Sequence, residues 1–183
     1  PTIERVYLGD SSLITNKGRA MQILPFLQNT NPKVTVRYEF DAADLDDELI
    51  ALLASMGHDE INFGIQSTNP TALTTMARTF RREKFERVLG KLEARGIDSV
   101  TADLIYGLPG DDYEGYRNSM DYALGYHSIS WILTNPLIML PGSDFYREQQ
   151  QHGIKLRDKE SYIVSSTNTF SERDMNEATK LSY

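Results

Sequence analysis

The chain has no cysteine. Disulfides and thiolate-held metal sites are therefore excluded within its 183 residues. It contains no apolar run long enough to cross a bilayer as a helix, and no charged-then-apolar stretch of the signal-peptide kind. The cytoplasm is the default expectation. Basic residues are in the minority, with 19 Lys and Arg against 26 Asp and Glu, a net charge of −7 and a pI near 5.0. That balance argues against a large nucleic-acid surface or an anionic membrane as partner, because both need clustered cations. Histidine is scarce. His58, His127 and His152 show no pairwise ligand spacing, so no metal site is expected. Low-complexity segments, internal repeats and clear linkers are also missing. What remains is a chain with 40% hydrophobic and 25% charged residues, ordinary for a soluble globular domain with a sizeable core.

The strands stand out because one face of each is polar. Residues 33–40 alternate strictly, with Val34, Val36, Tyr38 and Phe40 on one side and Lys33, Thr35, Arg37 and Glu39 on the other. In residues 60–66, Ile61, Phe63 and Ile65 oppose Asn62, Gly64 and Gln66. In residues 100–107, Val100, Ala102, Leu104 and Tyr106 oppose Thr101, Asp103, Ile105 and Gly107. A parallel strand buried on both faces reads as a nearly continuous apolar run. A row of strands that instead carries acids, amides and glycines on one face predicts a cavity for a polar ligand.

Strand-then-helix units recur at roughly 30-residue spacing, the mark of parallel βαβ units. The first strand is expected near 5–8, followed by a helix around 17–28 that Pro25 kinks or ends. Further helices are expected from about Asp44 to Met56 and from Arg82 to Arg95, the second with Phe85, Val88, Leu89 and Leu92 as its buried stripe. Asp111 and Glu114 resemble a capping box opening the next helix. A strand is expected at 129–133, another at 137–140, and a helix from Ser143 to Gly153. Ser171 and Asp174 predict a last helix with Met175, Ala178 and Leu181 on one face. Trp131 reads as a core residue. The acids Asp44, Asp46, Asp47 and Glu48 read as a helix start favoured by the helix dipole. About five parallel strands, each with a helix, fit a βα barrel or a doubly wound α/β sheet over 1–153, with a C-terminal extension over 154–183. Ligands in such folds sit at the carboxyl ends of strands, where Gly9, Asp10, Glu39, Gln66, Asp103 and Gly107 fall.

Three segments carry a family likeness. Phe63-Gly-Ile-Gln-Ser67, Met76-Ala-Arg78 and Asp103-Leu-Ile-Tyr-Gly-Leu-Pro-Gly110 resemble the core of radical S-adenosylmethionine enzymes, especially oxygen-independent coproporphyrinogen dehydrogenases and cobalamin-domain radical enzymes. Pro141-Gly-Ser-Asp-Phe-Tyr146 and residues 162–171 look more like the cobalamin-associated group. The resemblance implies most of a (βα)₆ TIM-like barrel whose first βα unit is missing. It implies S-adenosylmethionine as cofactor, with Gly9 and Asp10 at the place of the motif that receives the methionyl amine. Here Gly9-Asp10-Ser11 keeps only the first glycine of that motif. Glu39 would face the cofactor, Gln66 would lie near the ribose, Arg78 would pair with the methionyl carboxylate and Asp103 would meet the ribose hydroxyls. Gly107 would let backbone approach adenine. The residue types suit these tasks, since Arg offers a fork to a carboxylate and a carboxylate accepts from ribose hydroxyls.

Each residue also has a plainer reading. Glu39 could be an edge charge or pair with Arg37; Arg78 could be solvated like Arg81 and Arg82; Gln66 could brace the loop after it. Gly107 to Gly110 could be a strand-to-helix turn, and Asp10 a cap. Asp103 is the exception, because an acid amid an apolar run is costly to bury without purpose.

The family's chemistry needs a [4Fe-4S] cluster held by a Cys-x3-Cys-x2-Cys loop, and the sequence has no thiolate to offer. The expectation is a fragment: a radical enzyme as parent, with the cluster and any cobalamin domain outside these residues, no catalytic residue within them and no activity of the fragment alone. The parent would make a 5′-deoxyadenosyl radical, or transfer a methyl group with cobalamin, acting on a small-molecule substrate. An exposed sheet edge would offer a surface for dimerisation. Two alternatives stand beside this: a non-catalytic adenosyl- or nucleotide-binding barrel, and an ordinary βα-barrel enzyme using Glu39 and Asp103 as an acid–base pair.

Overall fold

Alternation of burial in the strands organises the fold. A computed structural model of the chain describes residues 3–8, 13–30, 34–56 and 60–182. Five parallel strands form one sheet in the order β1-β2-β3-β4-β5: β1 Arg5–Leu8, β2 Thr35–Phe40, β3 Glu60–Gln66, β4 Val100–Tyr106 and β5 Ile129–Pro136. The helices between them are α1 Lys17–Thr30, α2 Asp47–Met56, α3 Pro70–Thr75, α4 Arg82–Glu93 and α5 Tyr113–Leu124. After β5 come α6 Asp144–Arg147, a two-stranded antiparallel pair of β6 Lys155–Leu156 and β7 Val164–Ser166, and α7 Glu172–Leu181. The sheet is a partial α/β barrel with β1 and β5 as its two edges; no closure between them is found among the described residues.

The chain divides into two compact units. The first comprises Pro1–Gly64, Arg81–Ala102 and Tyr126–Trp131. Its register pairs Tyr7 with Arg37 and Glu39 with Asn62, so the polar positions of successive strands share one face. The other face carries Val36, Tyr38, Phe40, Ile61 and Phe63, all buried with the stripes of α2 (Leu49, Ile50, Leu53, Met56) and α4 (Phe85, Val88, Leu89, Leu92). Phe85 packs edge-on against Phe63 at 5.6 Å and against Tyr126 at 6.3 Å. Each such side chain contributes about 1.5–3 kcal/mol by leaving water. α1 runs on through Pro25 to Thr30 rather than ending there.

The second unit comprises Ile65–Phe80, Asp103–Gly125 and Ile132–Tyr183. Ala72, Leu108, Leu137, Met139, Ile154 and Val164 form its buried cluster. The capping box expected at Ser171 and Asp174 is formed, and α7 buries Met175 and Ala178. Two tyrosine hydroxyls tie α7 down: Tyr106 to Thr179 Oγ1 at 3.1 Å and Tyr116 to Ser182 Oγ at 3.0 Å.

Four local expectations change. The strand expected at 137–140 is a single bridge between Ile138 and Ile163. The helix expected from Ser143 to Gly153 is regular only over α6, after which it loosens into turns. Trp131 is 68% exposed rather than core, because it lies on the outward-facing alternate positions of edge strand β5 with Leu133 and Asn135. Asp111 is not the cap of α5. Asp112 is, its carboxylate accepting from Gly115 N at 2.7 Å.

Candidate functional site

The chain leaves β3 through a tight turn. Ser67 N donates to Ile65 O at 2.9 Å across Gln66, whose φ is +67°. That is a three-residue γ-turn in its positive-φ form, which is rare and strained for a side-chain-bearing residue. Gln66 does not cap the next helix. Asn69 caps α3, its Oδ1 accepting from Thr71 N at 2.9 Å and Ala72 N at 3.4 Å, with Pro70 in the first helical turn.

α3 ends as deliberately as it starts. Ala77 N donates to Thr74 O at 3.0 Å, and Arg78 N donates to Leu73 O at 2.9 Å. These are the two bonds of a Schellman motif, with Ala77 at the left-handed position (φ +51°) usually given to glycine. Arg78 is half-buried just past this turn, outside any helix. Two of the three non-glycine positive-φ residues among the described residues thus bracket one short helix, with Gln66 on one side and Arg78 directly after the other.

On β4, Asp103 is half-buried in the strand interior with its Oδ1 atom sealed from solvent. The strand runs on into Gly107 and Gly110, at φ +83° and +85°, so the segment is indeed a strand-to-helix turn. Gly107 has a second constraint: a Cβ there would stand 2.6 Å from Met175 Sδ. Its missing side chain therefore makes room for α7. A Cβ on Gly110 would crowd Thr75 and Thr71 of α3. Gln66, Arg78, Asp103 and Gly107 all belong to the second unit. Glu39 belongs to the first, where its Oε2 accepts the Tyr7 hydroxyl at 2.9 Å and the Arg37 guanidinium lies 5.9 Å from the Tyr7 ring centre. Gly9 and Asp10 lie outside the described residues.

Sequence reasoning missed a polar clasp between the two strand-end loops. Asp111, 1% exposed, accepts from Ser67 Oγ at 2.9 Å, Asn69 Nδ2 at 2.8 Å and Asp112 N at 3.0 Å. Thr68 N donates to Ser119 Oγ on α5 at 2.9 Å. Burial pushes the Asp111 carboxyl above the ordinary carboxylate range, although the hydrogen bonds from Ser67, Asp112 and Asn69 pull the other way. The partners lie 42 and 44 residues from Asp111 in sequence, so no local pattern announces them. Among the described residues no cluster of His, Asp and Glu could hold a metal ion.

Residues 5–123 match the family model described as the radical SAM superfamily. The heme chaperone HemW of Lactococcus lactis is 31% identical over 83 residues, covering 45% of this chain and 22% of that protein. The chain spans 16% to 33% of the length of the curated relatives it matches. Among solved structures, coproporphyrinogen III oxidase (HemN) from Escherichia coli superposes with a TM-score of 0.66 at 19% identity, over 91% of this chain and 36% of that one. The radical S-adenosylmethionine methyltransferase TsrM of Kitasatospora setae, with cobalamin and a [4Fe-4S] cluster bound, gives 0.59 at 19% identity, over 72% and 25%. At these identities the structures speak for the fold.

Of the groups that such a family implies, the iron–sulfur cluster does not fit these residues, since no thiolate is present. S-adenosylmethionine fits by donor chemistry: a guanidinium fork at Arg78 for a carboxylate, an acid at Asp103 for hydroxyls and an amide at Gln66 for either. The family match covers most of the chain and leads to one conclusion: the chain belongs to the radical SAM superfamily.

Proposed function

We propose that this chain supplies the S-adenosylmethionine-binding part of a radical S-adenosylmethionine enzyme, whose cluster thiolates come from sequence other than these 183 residues. The observation that carries the reading is α3 with its two strained flanks. Strain of about 1–3 kcal/mol per residue persists where the surroundings over-determine it, and such residues cluster at binding sites. Here they set Gln66 and the backbone beside Arg78. Arg78 binds the methionyl carboxylate, Asp103 accepts from ribose hydroxyls, and Gln66 bridges from the end of β3. None of these residues performs bond cleavage.

For the whole protein, the heme-chaperone and coproporphyrinogen-oxidase group is the better guide, because it is represented among both the sequence relatives and the structural neighbours. A cobalamin-dependent methyltransferase is the second reading, favoured only by the structural likeness to TsrM.

Calorimetric titration of the chain with S-adenosylmethionine and S-adenosylhomocysteine tests the proposal. Binding of both, weakened by about ten-fold in Arg78→Ala through loss of a charge-assisted hydrogen bond, supports it. Binding that Arg78→Ala leaves unchanged overturns the carboxylate assignment, and no binding of either compound overturns the reading of this chain as the binding part. Sequencing of the parent gene for a Cys-x3-Cys-x2-Cys loop tests the rest.

A further inference from the structure

The clasp around Asp111 holds the chain directly after Gln66, where the γ-turn runs into α3. Ser67 comes directly after Gln66. Its hydroxyl donates to Asp111 Oδ2 and accepts from Asn69 N at 3.0 Å. Asn69 is at once the cap of α3 and a donor to Asp111 Oδ1. Ser67 and Asn69, which join the γ-turn to α3, therefore converge on one carboxylate. α5 closes the clasp from the far side: a Cβ at Gly115 would overlap Asp111 Oδ1 and stand 2.7 Å from Asn69 Nδ2. Gly115 sits inside a helix, where glycine costs roughly 0.5–1 kcal/mol against alanine, and the clasp is the reason this position tolerates no larger residue.

We propose that Asp111 is a positioning residue: through Ser67 and Asn69 it fixes the γ-turn at Gln66 and the start of α3, and through α3 the station of Arg78. The inference rests on the proposed function for the identity of the ligand, S-adenosylmethionine. It does not rest on that function for the mechanical coupling. A turn in the positive-φ form relaxes unless held, and a helix of six residues is far too short to hold its own axis. Both are held here by donors converging on a buried carboxyl group, where each bond left unmade carries the full desolvation cost of its donor.

Three versions of the full chain test this: Gly115→Ala, Asp111→Asn, and Gly90→Ala as a control inside α4, where an added Cβ meets nothing within 4 Å. Two quantities are read on each, amide hydrogen exchange over residues 66–78 without ligand and affinity for S-adenosylhomocysteine. Gly115→Ala is expected to speed exchange over 66–78 and to lower the affinity, each by about ten-fold, on the scale of one unmade buried hydrogen bond. Gly90→Ala is expected to change neither. Asp111→Asn retains the shape and one acceptor oxygen, so smaller losses of both are expected from it. Should Gly115→Ala not fold, Ser67→Ala, which deletes a single hydroxyl, takes its place with the same expectations. Unaltered exchange over 66–78 in the clasp variants overturns the inference, as does unaltered affinity alongside a lowered melting temperature, which would mark Asp111 as merely structural. If the wild-type chain binds no S-adenosylhomocysteine, the proposed function fails and the exchange measurement alone decides the coupling: faster exchange confined to 66–78 upholds it, and unchanged exchange overturns it.

Discussion

Helices α4 and α5 are both twelve residues long, and each carries one glycine in its interior. They are held by different means. α4 has no side-chain cap at Arg81, and its anchorage is the apolar stripe of Phe85, Val88, Leu89 and Leu92. α5 is amphipathic too, but its first turn is pinned by polar groups: Asp112 caps it, Asp111 is buried beneath it, and Gly115 is pressed against both Asp111 and Asn69. A helix held by area tolerates local change. A helix held by convergence on one carboxylate does not, because each buried donor left unmatched carries its full desolvation cost.

Substitutions can break this contrast. The largest effect is expected from Asp111→Ala, which strands the Ser67 hydroxyl, the Asn69 amide and the Asp112 N–H together; a loss of about 2–4 kcal/mol is expected in urea unfolding, at the scale of broken buried networks. Gly115→Ala comes next. The added methyl overpacks the clasp, and a loss of about 1–3 kcal/mol is expected despite the better helix former. The same exchange at Gly90 is expected to reverse sign, with a gain of about 0.5–1 kcal/mol. A gain at both positions would mean that α5 yields as easily as α4 and that the clasp is loose.

The finest effect is a slope with pH. Burial raises the folded-state carboxyl of Asp111 above its ordinary value. Between the ordinary and the raised value, the folded chain holds a proton that the unfolded chain has released. Stability from this group therefore grows as pH falls through that window, and is level above and below it. Asp46 and Asp47 behave oppositely. Hydrogen bonds from Lys17 and Lys91 lower them, so their contribution is lost on acidification below the ordinary range. Both are shared by wild type and Asp111→Asn, so the difference between the two unfolding curves isolates Asp111. That difference is expected to move in favour of wild type on acidification; a flat difference removes burial as the controlling cause.

What was legible in the sequence was whatever repeats at short range. Period-two alternation placed Arg37 and Glu39, and Asn62 and Gln66, opposite their apolar neighbours, and the paired register of Glu39 with Asn62 agrees. The spacing of Ser171 and Asp174 announced α7 because a capping box lies within one turn. The same local rule misassigned Asp111. Two adjacent acids stand before α5, and spacing alone cannot tell which faces the helix and which turns inward to partners 42 and 44 residues away. Trp131 misled for a related reason: bulk and apolarity predict burial only when a neighbouring layer covers that face, and edge position is a property of sheet order. The positive φ at Gln66 and Ala77 had no signal at all, since neither residue is a type that favours it.

The contact of Met175 with Gly107 also bears on how far the chain can be shortened. By sequence alone the stretch after Gly153 reads as a C-terminal extension. Yet cutting before α7 would leave a sulfur-sized hole beside the strand-end glycine. It would also strip Tyr106 of its Thr179 partner and Tyr116 of its Ser182 partner. The last helix is a keystone by position, and a chain that ends early loses the packing beneath its Gly107 turn while every residue of that turn is still present.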